Sequence, residues 1–588
     1  MATDAAAEQR REVPTRNEVR SKKQRYNEYV DKLFVEQQRF MEYWRQLALA
    51  FMPSRPRWLY QRSNERNKGT RMNKHVIDSG PLFAVRTLKS GLHSGLTSPA
   101  RPWMRLTLPD PELAAYAAVK KWLFTVTQRM LTVFARSNLY SALPSLYGDL
   151  GVFAIGAIGV LPDSKDAIRI TSYPIGSFAC DIDKRGVVGA FCRDYEMTVE
   201  QVCEEFGRRE DGSIDWTNIS TRVKEDWDRG DYINLVRVRW LVQKNRDYSG
   251  EERLGAKNKR FLSCYWESEN NEDKFLRESG FDTFPFMVPR WDVAPEDTYG
   301  TDCPGMMALG DARQLQVQQR QKGVAIEKMI NPPLQGPPAL KNKKVANVAG
   351  ETTTVEPPQS GRAINPLYEV KPDLSHFVLD LNSVNARIDK AFFVDLFQMM
   401  AYQDSITGSQ QPVTAREIAE RHEEKLLALG SVYERLNDEL LDLLIDRTFF
   451  LMMGLGMIPD PPQELLDMDL RVEYISLMAQ AQKLIGLAAL DRYGQTAIGL
   501  SQVFPGVVDK VDEYKLMDEY ADVLMINPSI TRSDEEAAAR GEARMAAVQQ
   551  QMRDESLATQ AKATRDLAQA PSGGDTALED LKRSLGAA

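Results

Sequence analysis

The pattern of apolar positions first predicts helices. Residues 16–52 carry apolar side chains near one helical face, and residues 111–136 carry them on a stripe at three- and four-residue spacing. The two sets are Tyr29, Leu33, Phe40 and Trp44, and Ala118, Trp122, Val126 and Met130. Between them, a helix is predicted to open after Ser79 and to stop near Leu92, where a stretch rich in glycine, serine and proline follows.

The pattern then changes to short apolar runs, several of which alternate with polar residues. These runs are separated by Gly, Asp or Asn and predict strands within a mixed α+β region of residues 151–291. Their sequences are GVFAIGAIGVL, AIRITSY, VVGAFCRDYEM, YINLVRVRWLVQ and RFLSCYWES.

A turn-rich stretch separates two further helices. Residues 308–330 are rich in Gln and Arg with almost no apolar stripe, which predicts a helix that is exposed or packs against polar partners. Residues 332–366 contain paired prolines and predict a small subdomain. Residues 373–400 predict an uninterrupted helix of more than six turns. Its apolar face consists of Phe377, Leu381, Val384, Ile388, Phe392, Leu396 and Met399.

The remaining chain begins with a polar, glycine-containing loop at residues 401–413. A capping box at residues 414–417 predicts another long helix, and shorter helices are predicted over residues 459–527. The apolar stripe of the long helix is Ile418, Leu429, Val432, Leu436, Leu440 and Leu443. The final segment has only a thin stripe, so it predicts either an exposed helix that needs neighbouring copies or a tail of low order.

Composition and charge narrow the class of protein. The 588 residues are 43% hydrophobic and 27% charged, which predicts a globular chain too long for one core. The net charge is −8, but residues 1–75 carry 17 basic against 9 acidic residues, so this segment is +8 and the rest is −16. The net negative charge of the chain beyond residue 75 argues against tight, sequence-specific DNA binding, although DNA could slide past such a surface. Because neither a membrane helix nor a signal peptide is recognisable, we expect an intracellular protein.

Motifs for catalysis or metal binding are absent from the sequence. Five cysteines without a CxxC pair predict buried free thiols, and the four histidines are scattered without HExxH. GxSxG is missing, and the nearest approach to a phosphate loop, residues 250–258, has Ala256 in place of the lysine. We therefore expect no enzyme, no catalytic residues, no cofactor and no metal.

The stretch SGLHSGLTSPARPW, residues 90–103, is either a catalytic turn or a structural joint. No third partner or oxyanion motif lies near His93 and Ser94, which favours the joint. In that interpretation Gly91 and Gly95 permit close backbone approach, the prolines end the helix, and Trp103 anchors the turn.

Three stretches together resemble the head-to-tail connector, or portal, proteins of short-tailed, T7-like bacteriophages. They are residues 90–103, RWDVAPEDTYGTDCPGMMALGDARQLQ at residues 290–316 and PVTAREIAERHEEKLLALGSVYERLNDELL at residues 412–441. Their order and spacing are similar to those of the family, and the resemblance covers residues 20–460. It implies an α+β, mainly α-helical fold with an elongated portal architecture, whose subunits assemble into a ring, usually a dodecamer.

The resemblance also implies a division of the chain into parts. These are a basic N-terminal helical segment (1–75), a wing (76–305), a first stem helix (306–331), a clip (332–372), a second stem helix (373–400), a tunnel loop (401–413), a long wing helix (414–458), a crown (459–530) and a C-terminal helical barrel or disordered tail (531–588).

Candidate site residues follow from these parts. The tunnel loop is expected to give DNA short polar contacts from Gln403, Asp404, Ser405, Thr407, Ser409, Gln410 and Gln411, with an ordinary helix-to-helix linker as the less favoured alternative. The candidates for the few channel cations are Arg320, Lys322 and Lys328, with ion pairs between subunits as an equal alternative. In the clip, docking of the motor or tail is expected at Lys341, Lys343 and Lys344, with a solvated turn at least as favoured.

The implied function is a conduit for genome packaging, retention and ejection at one capsid vertex of the virion, after assembly in the host cytoplasm. The implied partners are double-stranded DNA without sequence specificity, the terminase large subunit, tail adaptor proteins, and the major capsid and scaffold proteins, with no membrane. Two alternatives stay open: an ATP-dependent DNA-packaging enzyme, and a capsid or scaffold protein without a channel.

Overall fold

The computed structural model places the chain in two compact units. The first comprises Met1–Met104, Gln128–Pro459 and Tyr474–Met478, and the second comprises Arg105–Thr127, Asp460–Glu473 and Ala479–Ala588. The residues that the structure describes are 21–55, 59, 74–100, 102–108, 110, 116–209, 211–246, 248, 258–270, 272–330, 334–335, 365–366, 374–402, 429–463, 471–474, 492–497, 499–500, 504, 512, 515–517, 520–521 and 534–568.

The first helix, α1 (Lys22–Phe51), begins with a capping box in which the Ser21 and Gln24 side chains each bond the other residue's backbone N–H. Its buried face, with Val30, Leu33 and Phe34, packs against a β-sheet over Cys192 and Trp266 among others. The predicted helix over residues 16–52 is thus confirmed for its described part.

Helix α2 (Gly80–Leu96) opens after Ser79 as predicted but does not stop near Leu92. It continues through both glycines, since the buried face formed by Val85, Leu88 and Leu92 extends to Leu96. Gly91 and Gly95 therefore belong to the helix, and the structural joint begins after Leu96.

Helix α3 (Ala117–Arg136) lies within the predicted range, and the second half of its predicted stripe is confirmed because Val126 and Met130 are buried. The first half is not, because Ala118 is exposed and Trp122 is half-buried. In these first turns packing buries the neighbouring apolar positions Val119 and Leu123 instead.

Helix α4 (Leu139–Phe153) corrects the prediction of a strand across residues 151–161. Every residue of its last two turns, from Leu146 to Phe153, is buried, so the sequence shows no amphipathic stripe that would distinguish a helix from a buried strand. The helix ends at Ala154, whose left-handed φ of 63° reverses the chain before the strand begins.

Two antiparallel sheets follow in the first unit. One has the order β3-β2-β9 and the other β4-β5-β6-β7-β8. The other four predicted strand runs coincide with β3, β5, β6 and β7. The bounds are β2 (Ala157–Asp163), β3 (Ala167–Tyr173), β4 (Phe178–Ile182), β5 (Val188–Thr198), β6 (Leu235–Lys244), β7 (Phe261–Glu267), β8 (Arg277–Phe281) and β9 (Phe286–Met287).

A small helical lobe connects β5 to β6. It contains α5 (Val199–Val202), a π-turn (Cys203–Gly207) and α6 (Thr221–Asp228). Val199, Val223 and Val238 belong to its buried core, and α5 packs against β5 and β6.

The two predicted stem helices pack against each other in the first unit. The first is α7 (Pro304–Ile330), and the second is divided into α8 (Leu374–Ala391) and α9 (Val394–Tyr402). The prediction of one uninterrupted second helix is therefore wrong. The break lies at Phe393, which has a left-handed φ of 55°, and the apolar pattern continues across it because Phe392 and Leu396 are both buried.

The described part of the predicted long wing helix begins at Leu429. It consists of α10 (Gly430–Leu436), a π-turn (Asn437–Leu441) and α11 (Asp442–Gly454). Val432, Leu436 and Leu440 are buried as the stripe predicts, whereas the capping box at residues 414–417 lies outside the described residues.

The second unit contains most of β1 (Met104–Thr107), which pairs with β12 (Arg471–Tyr474). It also contains α12 (Asp534–Ala568), none of whose described side chains is buried. In the part of the chain that the structure describes, no helix has both the length and the apolarity needed to cross a membrane.

Candidate functional site

The structure describes only some of the residues that the sequence analysis selected as candidate functional residues. Arg320 and Lys328 lie exposed, and Lys322 half-buried, in the second half of α7. The seven tunnel-loop residues fall in residues 403–428, and the clip lysines Lys341, Lys343 and Lys344 fall in residues 336–364; both stretches lie outside the described residues. The only clip elements described are β10 (Leu334–Gln335) and β11 (Asn365–Pro366), an antiparallel pair.

The first stem helix begins at a close backbone contact between the start of α7 and the end of α4, which we call the stem root. A Cβ atom added to Gly305 would lie 2.8 Å from both Cα and the carbonyl oxygen of Val152. One added to Gly300 would lie 2.2 Å from the carbonyl oxygen of Ala154. The Cys303 thiol donates to the carbonyl of Val152 at 3.3 Å, so the two helix ends are joined without room for side chains.

The second stem helix is fixed by aromatic packing at its break. Phe392 is buried with its ring centroid 5.2 Å from that of Phe51 in α1. Phe397, on α9, lies so close to α2 that a Cβ atom on Gly91 would stand 2.1 Å from its ring. Gly91 thus permits the close approach that the sequence predicted, whereas Gly95 has nothing within 4 Å and needs no such freedom.

Polar side chains align the two stem helices. Arg387 on α8 pairs with Asp311 on α7, with Nη2 2.8 Å from Oδ1. One step further along the stem, the Gln318 amide donates to the Asp380 carboxylate. The Gln316 side chain binds the backbone of Asp78 at 2.9 Å, which ties α7 to the segment before α2. The helices are therefore in a defined register.

Beyond Leu315 the stem lacks a buried core. No α7 residue after Leu315 is buried, and Arg320, Lys322 and Lys328 form no ion pair with any described residue. Large apolar side chains are exposed on both helices of this distal stem. They are Val317, Val324, Ile326, Met329, Ile330, Val378 and Leu379. A set of this size on one hairpin is typical of a protein interaction surface.

Comparison with known proteins identifies the family. The family model of the bacteriophage head to tail connecting protein matches residues 23–531. The chain belongs to this connector family. It is 41% identical over 512 residues to the portal protein of Salmonella phage epsilon15, covering 87% of this chain and 89% of the relative. It is 37% identical over 557 residues to the probable portal protein of Bordetella phage BPP-1, covering 94% and 96%.

Two solved phage-like particles contain chains with a weaker likeness to this connector. One is the virion of a native gene transfer agent particle, with TM-score 0.28 and 11% identity, covering 70% of this chain and 94% of that one. The other is the neck of an empty gene transfer agent particle, with TM-score 0.29 and 10% identity, covering 71% and 86%. The family assignment rests on the sequence matches, and it confirms the predicted connector family and its mainly helical α+β fold.

In the connector, the structural joint is the stretch that follows Leu96 and reaches Trp103, and the polar side chains of the last helical turn bond locally. The Ser94 hydroxyl donates to the carbonyl of Gly91 at 3.2 Å, and His93 Nδ1 lies 3.3 Å from the hydroxyl of Thr97. Burial lowers the pKa of His93 and thus favours its neutral form. Trp103 is buried, and its indole N–H donates to the Tyr140 hydroxyl at 3.1 Å. The predicted Trp103 anchor is confirmed.

The described residues offer no clear site for metal or thiol chemistry. They contain no cluster of three His, Cys, Asp or Glu residues that could hold a metal ion. All five cysteines are free and buried as predicted. Burial raises the pKa of Cys180 and Cys303 to about 12, so neither is a reactive thiolate near neutral pH.

No local pattern in the sequence indicated three buried charged residues of the connector. Arg290 pairs with Glu439, a residue 149 positions later, and also donates to two backbone carbonyls. Arg447 donates to Thr283, and burial lowers its pKa to about 10 although the nearby Asp282 carboxylate opposes this shift. Burial raises the pKa of Asp149 to about 7, although Arg55 Nε lies 3.1 Å from its Oδ1. Only the fold brings these groups to their partners.

Proposed function

We propose that this chain is one subunit of a ring-shaped portal through which the phage genome is packaged, retained and ejected at one capsid vertex. The observation that carries the proposal is the connector-family match over residues 23–531. The 41% identity to a phage portal protein over 87% of the chain supports it. Membership of a family of structural proteins is also consistent with the expectation that this chain is not an enzyme.

The distal stem supports assembly into a ring. Its exposed apolar residues include Leu379, with 65% of its surface accessible in the single chain, and Val317, with 55%. Neighbouring copies of the stem would bury these side chains and thus stabilise a closed ring. A dodecamer is the subunit number that we propose, by resemblance to the family.

The charge distribution suits a channel through which DNA moves. Each DNA phosphate that a Lys or Arg neutralises strengthens a salt-dependent attachment. The logarithm of the binding constant then falls with the logarithm of the salt concentration, with a slope of about −0.9 per contact. The chain beyond residue 75 carries a net charge of −16, and the described α7 carries only four Lys and Arg over 27 residues. An acidic wall with few cations keeps each attachment weak, so DNA can slide.

We assign the parts of the chain by the same proposal. Residues 306–331 and 373–400 are the stem, 332–372 the clip, 401–413 the tunnel loop, 76–305 and 414–458 the wing, and 459–530 the crown. Residues 531–588 form the C-terminal barrel or tail, and the exposed α12 is consistent with a helix that needs neighbouring copies. Residues 1–75 are the basic N-terminal helical segment, whose described helix α1 packs against the five-stranded sheet.

The proposed partners follow from these parts. The clip, with Lys341, Lys343 and Lys344, docks the terminase large subunit and later the tail adaptors. The wing contacts the major capsid and scaffold proteins, and double-stranded DNA passes through the channel without sequence recognition. The protein assembles in the host cytoplasm and remains in the virion.

Deleting residues 405–411 tests the tunnel-loop assignment. We expect rings to form normally because the deletion leaves the stem and wing unchanged. DNA packaging or retention should fall, since the short polar contacts at the narrowest point are lost. Particle DNA content, measured by nuclease protection, checks this expectation. Unchanged packaging and infectivity would refute the assignment of residues 401–413.

A further inference from the structure

The Arg193 side chain on β5 lies against two tyrosine rings. Its guanidinium carbon Cζ is 4.8 Å from the ring centroid of Tyr173 and 4.5 Å from that of Tyr195. Its Nε atom is buried, and the side chain forms no hydrogen bond or ion pair with any residue that the structure describes. Ring contacts stabilise the positive charge but leave the N–H donors without an oxygen acceptor, and a buried donor in that condition is rare and costly.

The acidic neighbour Asp194 binds other arginines. Successive side chains of a strand point to opposite faces of the sheet, so Asp194 and Arg193 lie on different faces. Asp194 pairs with Arg237, whose Nε is 2.7 Å from Oδ1, and with Arg239, whose Nε is 3.3 Å from Oδ2. On its own face Arg193 stands opposite Trp240, whose indole has no acceptor atom. The sheet therefore gives a carboxylate to Arg237 and Arg239 but not to Arg193.

Arg277 on β8 shows which partner an arginine on this face of the sheet takes. The strand register places Arg193, Trp240, Tyr265 and Arg277 in one row across four strands, so both arginines lie on the same face. Arg277 also contacts an aromatic ring, with Cζ 5.9 Å from the ring centroid of Tyr265. In addition it pairs with Glu205, whose Oε1 is 3.0 Å from Nη1. The two arginines thus differ in whether this chain supplies a carboxylate.

The two tyrosines do not supply a negative charge to Arg193. Burial raises the pKa of Tyr173 to about 12 and also raises the pKa of Tyr195, and the positive charge of Arg193 opposes these shifts only in part. Both phenols therefore keep their protons near neutral pH. Arg193 is thus a cation against two neutral aromatic side chains, and no described residue balances its charge.

We infer that Arg193 is a binding site for a carboxylate, namely an Asp or Glu side chain of the capsid or scaffold protein that contacts the wing. The inference rests on the proposed function, because residue 193 lies in the segment 76–305 that we assign to the wing. A planar guanidinium binds a carboxylate through two parallel N–H bonds, as a protein partner would present it. DNA suits the site less, since its binding requires several cations along the backbone and Arg277 is already paired.

Chemical modification in the presence of small anions tests the site itself. Butanedione reacts with accessible guanidinium groups, and peptide mass spectrometry measures the rate at each arginine of the isolated full-length protein. Acetate at about 0.2 M should slow the modification of Arg193 about twofold relative to chloride at the same ionic strength, because acetate occupies the site. The exposed Arg169 on β3 should react at the same rate in both salts.

Three results of this experiment would overturn the inference. The first is an Arg193 that reacts equally in acetate and chloride, or is slowed no more than Arg169. The second is an Arg193 that does not react at all, since a partner could not reach it either. The third is an Arg193 that inorganic phosphate protects and acetate does not, which would make the ligand a phosphate.

A matched pair of charge reversals tests the partner. Arg193→Glu should lower the amount of this chain in purified capsids by about tenfold, because it opposes two carboxylates. Arg169→Glu should be incorporated as the wild type is. The thermal unfolding midpoint of each isolated variant checks its folding, and Arg193→Gln replaces Arg193→Glu if that midpoint falls. Equal incorporation of the variants at the two positions, or equal loss, would overturn the inference. Wild-type chains that never enter capsids would instead contradict the proposed function.

Discussion

Replacing Arg290 with alanine is expected to destabilise the first unit by about 3–5 kcal/mol. The Arg290 side chain is only 5% exposed and pairs with Glu439, which is 19% exposed. It also donates to the carbonyls of Gly186, at 2.7 Å, and Asp297, at 3.2 Å. Removing it leaves the half-buried Glu439 carboxylate without its charge partner and empties the buried space that the Arg290 side chain fills, which costs more than an ordinary lost contact. The shift of the urea midpoint, followed by tryptophan fluorescence, measures the effect.

Arg435→Ala is the matched control for this prediction. Arg435 pairs with Asp292 at 3.1 Å, but the Asp292 side chain is 60% exposed, so water can replace the lost partner. The expected change is within about 0.5 kcal/mol. Equal shifts for the two arginine variants would show that the buried Arg290–Glu439 pair contributes no more to stability than an exposed pair does.

Replacing Gly305 with alanine is expected to destabilise the same unit by about 1–3 kcal/mol. The new methyl group would stand 2.8 Å from the Val152 backbone and 3.2 Å from the carbonyl oxygen of Gly151. Both neighbours belong to the fully buried end of α4, so the backbone there has little freedom to move. The stem would have to shift at its root, which the thermal unfolding midpoint would report.

Gly310→Ala on the same helix is the control. A Cβ atom on Gly310 would meet nothing within 4 Å, so alanine there should raise stability by about 0.5–1 kcal/mol through helix propensity. The two alanine variants are thus predicted to change stability in opposite directions. A gain for Gly305→Ala would contradict the close backbone contact at the stem root.

The elements that were predicted correctly had a local signal in the sequence. Helix α2 had a clear start signal, and the strands β3, β5, β6 and β7 were short apolar runs bounded by turn residues. Helix α4 was missed because its last two turns are buried on all sides, and a helix without an exposed face has no periodicity to detect.

Local pattern also failed to predict the break in the second stem helix. Phe392 and Leu396 continue the apolar spacing across Phe393, whose left-handed backbone carries no sequence signal because it is not a glycine. Packing against Phe51 and Gly91 determines the break, and those residues lie about three hundred positions earlier in the chain.

The sequence predicted which segment of the chain forms the stem, but not which of its side chains are exposed. The polar composition of residues 308–330 correctly indicated a helix without its own core, since only its first half is buried. The exposed Arg320 and the half-buried Lys322 could be distinguished only from the packing of α7 against its neighbours, which the composition of the helix does not show. The resemblance predicted the connector family from three short stretches, and the family match over residues 23–531 confirmed it.

The central claim is that this chain forms a ring with an open channel, and imaging of the purified full-length protein tests it most directly. Negative-stain or cryo-electron microscopy, with native mass measurement on the same sample, should show closed rings with a central hole and a single subunit number. Exclusively monomeric protein across protein concentrations and salt conditions would contradict the account.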